Sequence, residues 1–265
     1  MDTLAAKLSR KTLDAIVGHF GLSEVPGQGG RPFLPLAAKA FGGAPVGSVR
    51  LWDGGAKLSK VVYTGITVEP IGLDSHMIFA FTDRASPAPT FTLDSVYTNV
   101  PAGSDPNFPN GGDMYAFHLD LVPRCDLGIN AAYMRRCYVS LTEPRAAVLA
   151  AEGVFPALLS PMQRAIMSPW MLAQRTTPCA YGKAVFPVAE TYVNHWIGLV
   201  DEGLDELAPE ILGETGAIRD ARNRELIFSR DIDPVWRKID DLLGSDVADC
   251  MIGLLRNQGV ESPGG

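Results

Sequence analysis

The chain has 265 residues, 46% hydrophobic and 20% charged, a composition that supports a globular core and excludes disorder, a collagen-like repeat and a disulfide-stapled miniprotein. Its 23 Lys and Arg against 30 Asp and Glu leave a net charge of −7, which repels phosphate backbones and anionic membrane surfaces and argues against nucleic-acid or membrane partners. Cys125, Cys137, Cys179 and Cys250 stand singly, outside any zinc or iron–sulfur spacing. With no secretory apolar region at the N-terminus, they predict reduced thiols in the cytoplasm.

In chain order, Leu4, Leu8, Leu13, Ile16, Val17 and Phe20 recur at helical spacing among Asp2, Lys7, Arg10, Lys11 and Asp14, which predicts an amphipathic helix over 1–20. No segment approaches the roughly 20 apolar residues of a membrane span. The glycines of 26–32 follow no strand and show neither the GxGxxG order nor a following Gly-Lys-Ser/Thr, so that stretch reads as a turn. The period then changes to two, predicting strands over 48–52, 58–69, 76–82, 90–98 and 113–122. These runs lack helices long enough for parallel crossovers, which predicts an antiparallel sheet. The connection 99–112, with three prolines and three glycines, is long enough to be mobile or functional.

Beyond Tyr133 the pattern is helical, over 144–151, 160–174, 188–205 and 233–255. No repeat or charge block divides the chain. The expectation is a single domain over 1–265, with a helix and loop in 1–46, a sheet in 47–122 and a mainly helical part in 123–256. Its fold class is α/β, an α/β/α sandwich with a central antiparallel sheet flanked by helices on both faces.

Alternation along 113–122 places Tyr115, Phe117, Leu119 and Leu121 on one face and Met114, Ala116, His118 and Asp120 on the other. Along 90–98, Phe91, Leu93 and Tyr97 oppose Thr92, Asp94 and Val96. If helices cover the polar face, Asp94, His118 and Asp120 form a partly desolvated acid/base set. If not, they are ordinary residues on a solvated sheet. His76 either joins the set or is a surface histidine at a strand end.

An arginine beside a pocket can hold a carboxylate in a bidentate fork, so Arg124 and Arg135 are candidates for an acidic substrate group or for purely structural pairing. Asp126 reads as a turn cap or a partner of Arg124. Trp170 and His195 add aromatic area and an imidazole, to a pocket or to the core. With Tyr133, these are the candidate substrate-binding residues. His118 and Asp120 supply two potential metal ligands, but nothing nearby completes a recognisable set, and serine-hydrolase, zincin and dinucleotide motifs are absent.

The run Ala88-Pro89-Thr90-Phe91-Thr92-Leu93-Asp94, then His118-Leu119-Asp120-Leu121-Val122-Pro123-Arg124-Cys125-Asp126-Leu127 and Tyr133-Met134, resembles red chlorophyll catabolite reductase and, more distantly, the ferredoxin-dependent bilin reductases. Asn223, Arg224, Asp233-Pro234, Trp236 and Leu243-Gly244 resemble their final helices, so the likeness covers about 75–256. It implies an α/β/α sandwich with an open-chain tetrapyrrole between sheet and C-terminal helices, reduced by external ferredoxin without a bound flavin or metal. Asp94 then serves in proton delivery, one methylene shorter than the family glutamate. Asp249 is the nearest match to a second family aspartate, and His118 falls near the bilin-reductase histidine, offset by a short gap. A basic patch from Arg135, Arg136 and Lys183 would dock an acidic ferredoxin, and a homodimer is the family-like expectation.

Three functions remain open: a bilin-reductase-like enzyme with Asp94, His118, Asp120 and Asp249 as catalytic candidates; a cofactor-independent acid/base lyase or isomerase acting on a multi-ring aromatic such as a lignin-derived phenylpropanoid dimer; and a non-enzymatic carrier of a tetrapyrrole or aromatic. Fold alone does not choose among them.

Overall fold

A computed structural model describes residues 2–204, 207 and 214–259. The N-terminal helix α1 (Leu4–Phe20) starts at Thr3, whose hydroxyl accepts the Ala6 N–H at 3.1 Å. Two short strands, β1 (Ser23–Val25) and β2 (Leu34–Ala38), pair with the next, β3 (Ala44–Asp53). Neither was legible in the sequence, because three and five residues carry little periodicity. The expected strands then follow as β4 (Leu58–Val68), β5 (Leu73–Thr82), β6 (Thr90–Val100) and β7 (Gly112–Val122), each antiparallel to the one before.

After β7 come α2 (Ala131–Tyr138) and α3 (Thr142–Leu149). The helix expected over 160–174 is shorter: α4 (Pro161–Ile166) opens with a capping box between Ser160 and Gln163 and ends before Ser168-Pro169. Proline disfavours helical backbone at the residue before it, so the helix stops there. The rest is strand β9 (Leu172–Thr176), which pairs with β7 and with β8 (Val154–Pro156), so the segment expected to be mainly helical adds two strands to the sheet. The sheet order is β1-β3-β4-β5-β6-β7-β9-β8, with β2 also on β3.

A single-turn α5 (Pro178–Ala180) and a π-helical turn (Tyr181–Val185) lead into α6 (Phe186–Glu202). Next come α7 (Glu214–Ile227), α8 (Val235–Leu243) and α9 (Ser245–Arg256). The helix expected over 233–255 is thus two helices. They break at Gly244, whose φ of 95° and ψ of 150° no helix accommodates.

Each sheet face carries its own core. On one, Ile78, Phe91, Leu93, Phe117, Leu119 and Leu121 pack under α1, α2, α3 and α6. On the other, Val49, Val62, Met77, Phe79 and Phe81 pack under α7, α8 and α9. This is the expected α/β/α sandwich, a sheet too apolar on both faces to leave either in water.

Candidate active site

The sheet register brings the site together. Asp94 of β6 lies directly opposite His118 of β7, and the same row continues to Met77 on β5 and Ala173 on β9. His118 Nδ1 stands 3.7 Å from Asp94 Oδ2, an ion-pair distance longer than a hydrogen bond. The side chains keep 19% and 29% of their surface exposed.

The alternation of β7 holds as read from the sequence: Tyr115, Phe117, Leu119 and Leu121 belong to the first core, and His118 faces the other way. That other face is covered. A cavity of about 210 Å³ lies over it, lined by Asp94, Val96, Ala116, His118, Ala173, Met167, Met171 and Asp233 among others. A second chamber of about 30 Å³ adjoins it, sharing Asp94, His118, Met167, Asp233 and Val235 and adding Thr92 and Trp236. A larger concavity, about 450 Å³ beside Pro45 and Pro70, has Glu69 as the one titratable side chain in its lining, so it offers little chemistry.

Asp233 completes the cluster. It sits at the entrance to α8, where its Oδ1 accepts the Val235 N–H at 3.0 Å. Burial raises its pKa and the Asp94 charge adds to that, against the Val235 N–H and the His118 charge. Burial pulls the His118 imidazole down, but Asp94, with Asp120 and Asp233, outweighs it and holds the pKa above that of ordinary histidine. Two carboxyls and an imidazole around one cavity are groups that can donate and accept protons. Among the described residues no group of three His, Cys, Asp or Glu side chains is arranged to hold a metal ion.

The structure places the other candidates elsewhere. Asp120 is fully buried and bound to Ser168, its Oδ2 accepting the backbone N–H at 2.9 Å and its Oδ1 the hydroxyl; burial raises its pKa despite the His118 charge. Asp249 is exposed and pairs with Arg230 at 2.8 Å, outside both chambers. Arg124 is buried against Asp220 at 2.8 Å and also donates to the carbonyl of Arg84. Tyr133 is buried, its hydroxyl donating to the Pro87 carbonyl and accepting the Arg124 N–H.

Trp170 stacks on Tyr138 and donates its indole N–H to Thr142, and His195 meets the Cys137 carbonyl, both on the face of the first core. Arg135 is exposed, and its neighbour Arg136 is ion-paired to Glu202. His76 does not join His118: it lies on the opposite face with Tyr63 Oη at 2.7 Å and Asp74 Oδ1 at 3.1 Å.

In the sequence, Asp233 belongs to the stretch that resembles the family's final helices and carries no sign of a site residue. A carboxylate three positions before a Trp at the start of a helix reads as a cap, and no periodicity separates a cap from an acid that also faces a cavity.

The sandwich, with an antiparallel sheet between two helical layers, has a bilin-reductase-like fold. The structure of phytochromobilin synthase from tomato, solved in complex with biliverdin, matches it with a TM-score of 0.67 at 20% sequence identity, covering 98% of this chain and 85% of that one. No protein-family model and no curated sequence matches the chain. Among the described residues, no helix is long and apolar enough to cross a membrane.

Proposed function

We propose that this chain is a bilin-reductase-like enzyme that binds an open-chain tetrapyrrole between sheet and C-terminal helices and protonates it as electrons arrive from reduced ferredoxin. The observation that carries this reading is the convergence of Asp94, His118 and Asp233 on one covered cavity, in a fold shared with a protein whose structure holds biliverdin. Reduction of one double bond takes two electrons and two protons. Ferredoxin supplies the electrons one at a time, and the cluster supplies the protons. Asp233, with its pKa raised chiefly by burial, holds a proton more readily than an ordinary carboxylate and serves as one donor. His118, whose pKa its carboxylate neighbours raise, is the second donor.

The cavity volume favours a second reading. About 210 Å³ falls below the roughly 300–1,000 Å³ of ordinary small-molecule pockets, so a tetrapyrrole requires the segment around Met167 and Met171 to move. A multi-ring aromatic of lignin-dimer size asks for less movement. On it the same groups would remove one proton and return another, without an electron donor.

The deciding experiment is anaerobic incubation with biliverdin, with spectra before and after addition of reduced ferredoxin. A shifted, structured bound spectrum followed by electron-dependent bleaching supports the reductase. Tight binding without product under either condition assigns a carrier. The absence of any spectral shift overturns both and directs the search to aromatic dimers without a donor.

A further inference from the structure

Buried side-chain polar atoms in folded proteins almost always have a partner, and clustered exceptions mark a place where something polar binds. Among the described residues, Thr92 Oγ1, Asp94 Oδ1, His118 Nε2 and Trp236 Nε1 are buried without a hydrogen-bond partner from the chain. All four residues line the same chamber of about 30 Å³, next to the larger cavity. Asp233 also lines the chamber, with its Oδ1 accepting the Val235 N–H, and the remaining lining, including Met77, Phe79, Val122 and Phe228, is apolar and offers these atoms nothing.

The volume sets the size of the occupant. A water needs about 10–15 Å³ of accessible space, so the chamber admits water and excludes any organic ligand. The partners set its chemistry. Trp236 Nε1 can only donate, the Asp94 carboxylate only accept, the Thr92 hydroxyl either, and a protonated His118 donates. An occupant that accepts from one side and donates to the other satisfies this set, which is what water does.

We propose that Thr92, Asp94, His118 and Trp236 bind a single ordered water that solvates the Asp94–His118 pair from behind and keeps it charged. Its functional consequence rests on reading His118 as a proton donor of the proposed reaction. The charged groups acting on His118 are Asp94 on β6, Asp120 on its own strand and Asp233 before α8, with Lys238 on α8 acting on Asp233; the facing residue on β9, Ala173, is neutral. Without the water, only the 3.7 Å pair and the more distant carboxyls oppose burial, so the imidazolium is easier to discharge.

The test needs neither substrate nor ferredoxin, so failure of the biliverdin experiment leaves it standing and the reverse also holds. A high-resolution crystal structure of the unmodified protein should show one water within hydrogen-bond distance of Thr92 Oγ1 and Trp236 Nε1. NMR titration of the His118 ring should then show Thr92→Val lowering its pKa by ~0.5 unit or more, and Thr92→Ser, which keeps the hydroxyl, restoring it. A dry chamber overturns the proposal, as does a Thr92→Val titration matching that of the unmodified protein.

Discussion

Asp120 and Ser168 are joined by two hydrogen bonds across 48 residues, one to the backbone N–H and one to the hydroxyl, both buried. Ser168 also accepts the Trp170 N–H at 3.1 Å, so one carboxylate on β7 sets the course of the chain from Met167 to Met171. Those two methionines form part of the cavity wall. Asp120→Ala leaves a buried N–H and hydroxyl without their acceptor, and the expected loss is about 1–3 kcal/mol of unfolding free energy by urea denaturation. A variant as stable as the unmodified protein would show that this link does not hold the wall.

Asp94→Asn keeps the size of the side chain and removes its carboxylate. On the proposed reading it lowers ferredoxin-driven turnover of biliverdin by roughly 10²–10⁴-fold while leaving ligand affinity within a few-fold. Stopped-flow bleaching and a binding titration measure the two separately. Unchanged turnover would remove Asp94 from the proton path.

The His118 pKa is raised in the fold, because its neighbouring carboxylates outweigh burial. A group of this kind adds stability that is complete below its unfolded value near 6.5 and is lost as pH rises through the folded value. Denaturation midpoints followed from about pH 6 to 9 should therefore decline more steeply in the unmodified protein than in His118→Gln. Parallel curves would contradict the raised pKa.

Lys60 gives the opposite sign. Its ammonium is buried at the end of α9, donating to the carbonyls of Asn257 at 2.6 Å and Gly259 at 2.9 Å as well as that of Leu254, and burial with the nearby Arg224 charge brings its pKa down to about 7. Since the unfolded value is near 10.5, stability associated with Lys60 is complete above that pH and is lost as pH falls toward the folded value. Lys60→Met should be less stable overall and show a flatter profile between the two. Calorimetry across that window reads both effects.

Gly111 closes the connection between β6 and β7 at a φ of 68°, and a Cβ there would stand 2.5 Å from the Val100 carbonyl oxygen. Val100 and Gly112 are the first pair of the ladder that places Asp94 opposite His118. A one-residue slip would turn one of these strands' side chains to the wrong face. Gly111→Ala should therefore lower stability and weaken any bound-bilin spectrum together, whereas loss of neither would separate the loop from the register.

The sequence by itself determined the alternation of β6 and β7, the antiparallel order of the main strands and the sandwich class, because a period of two and the lack of crossover segments are local properties of the chain. It also put Asp94 and His118 on one face. Only the tertiary structure decided that the face is covered and that Asp233 reaches it from the far end of the chain, while Asp249, about one turn into another helix, pairs with Arg230 in solvent. It decided, too, that Arg124 and Tyr133 are consumed by backbone and Asp220 contacts. Periodicity assigns a side chain to a face, but its partners come from segments that meet across long sequence separations, and those partners decide whether a polar group serves structure or chemistry.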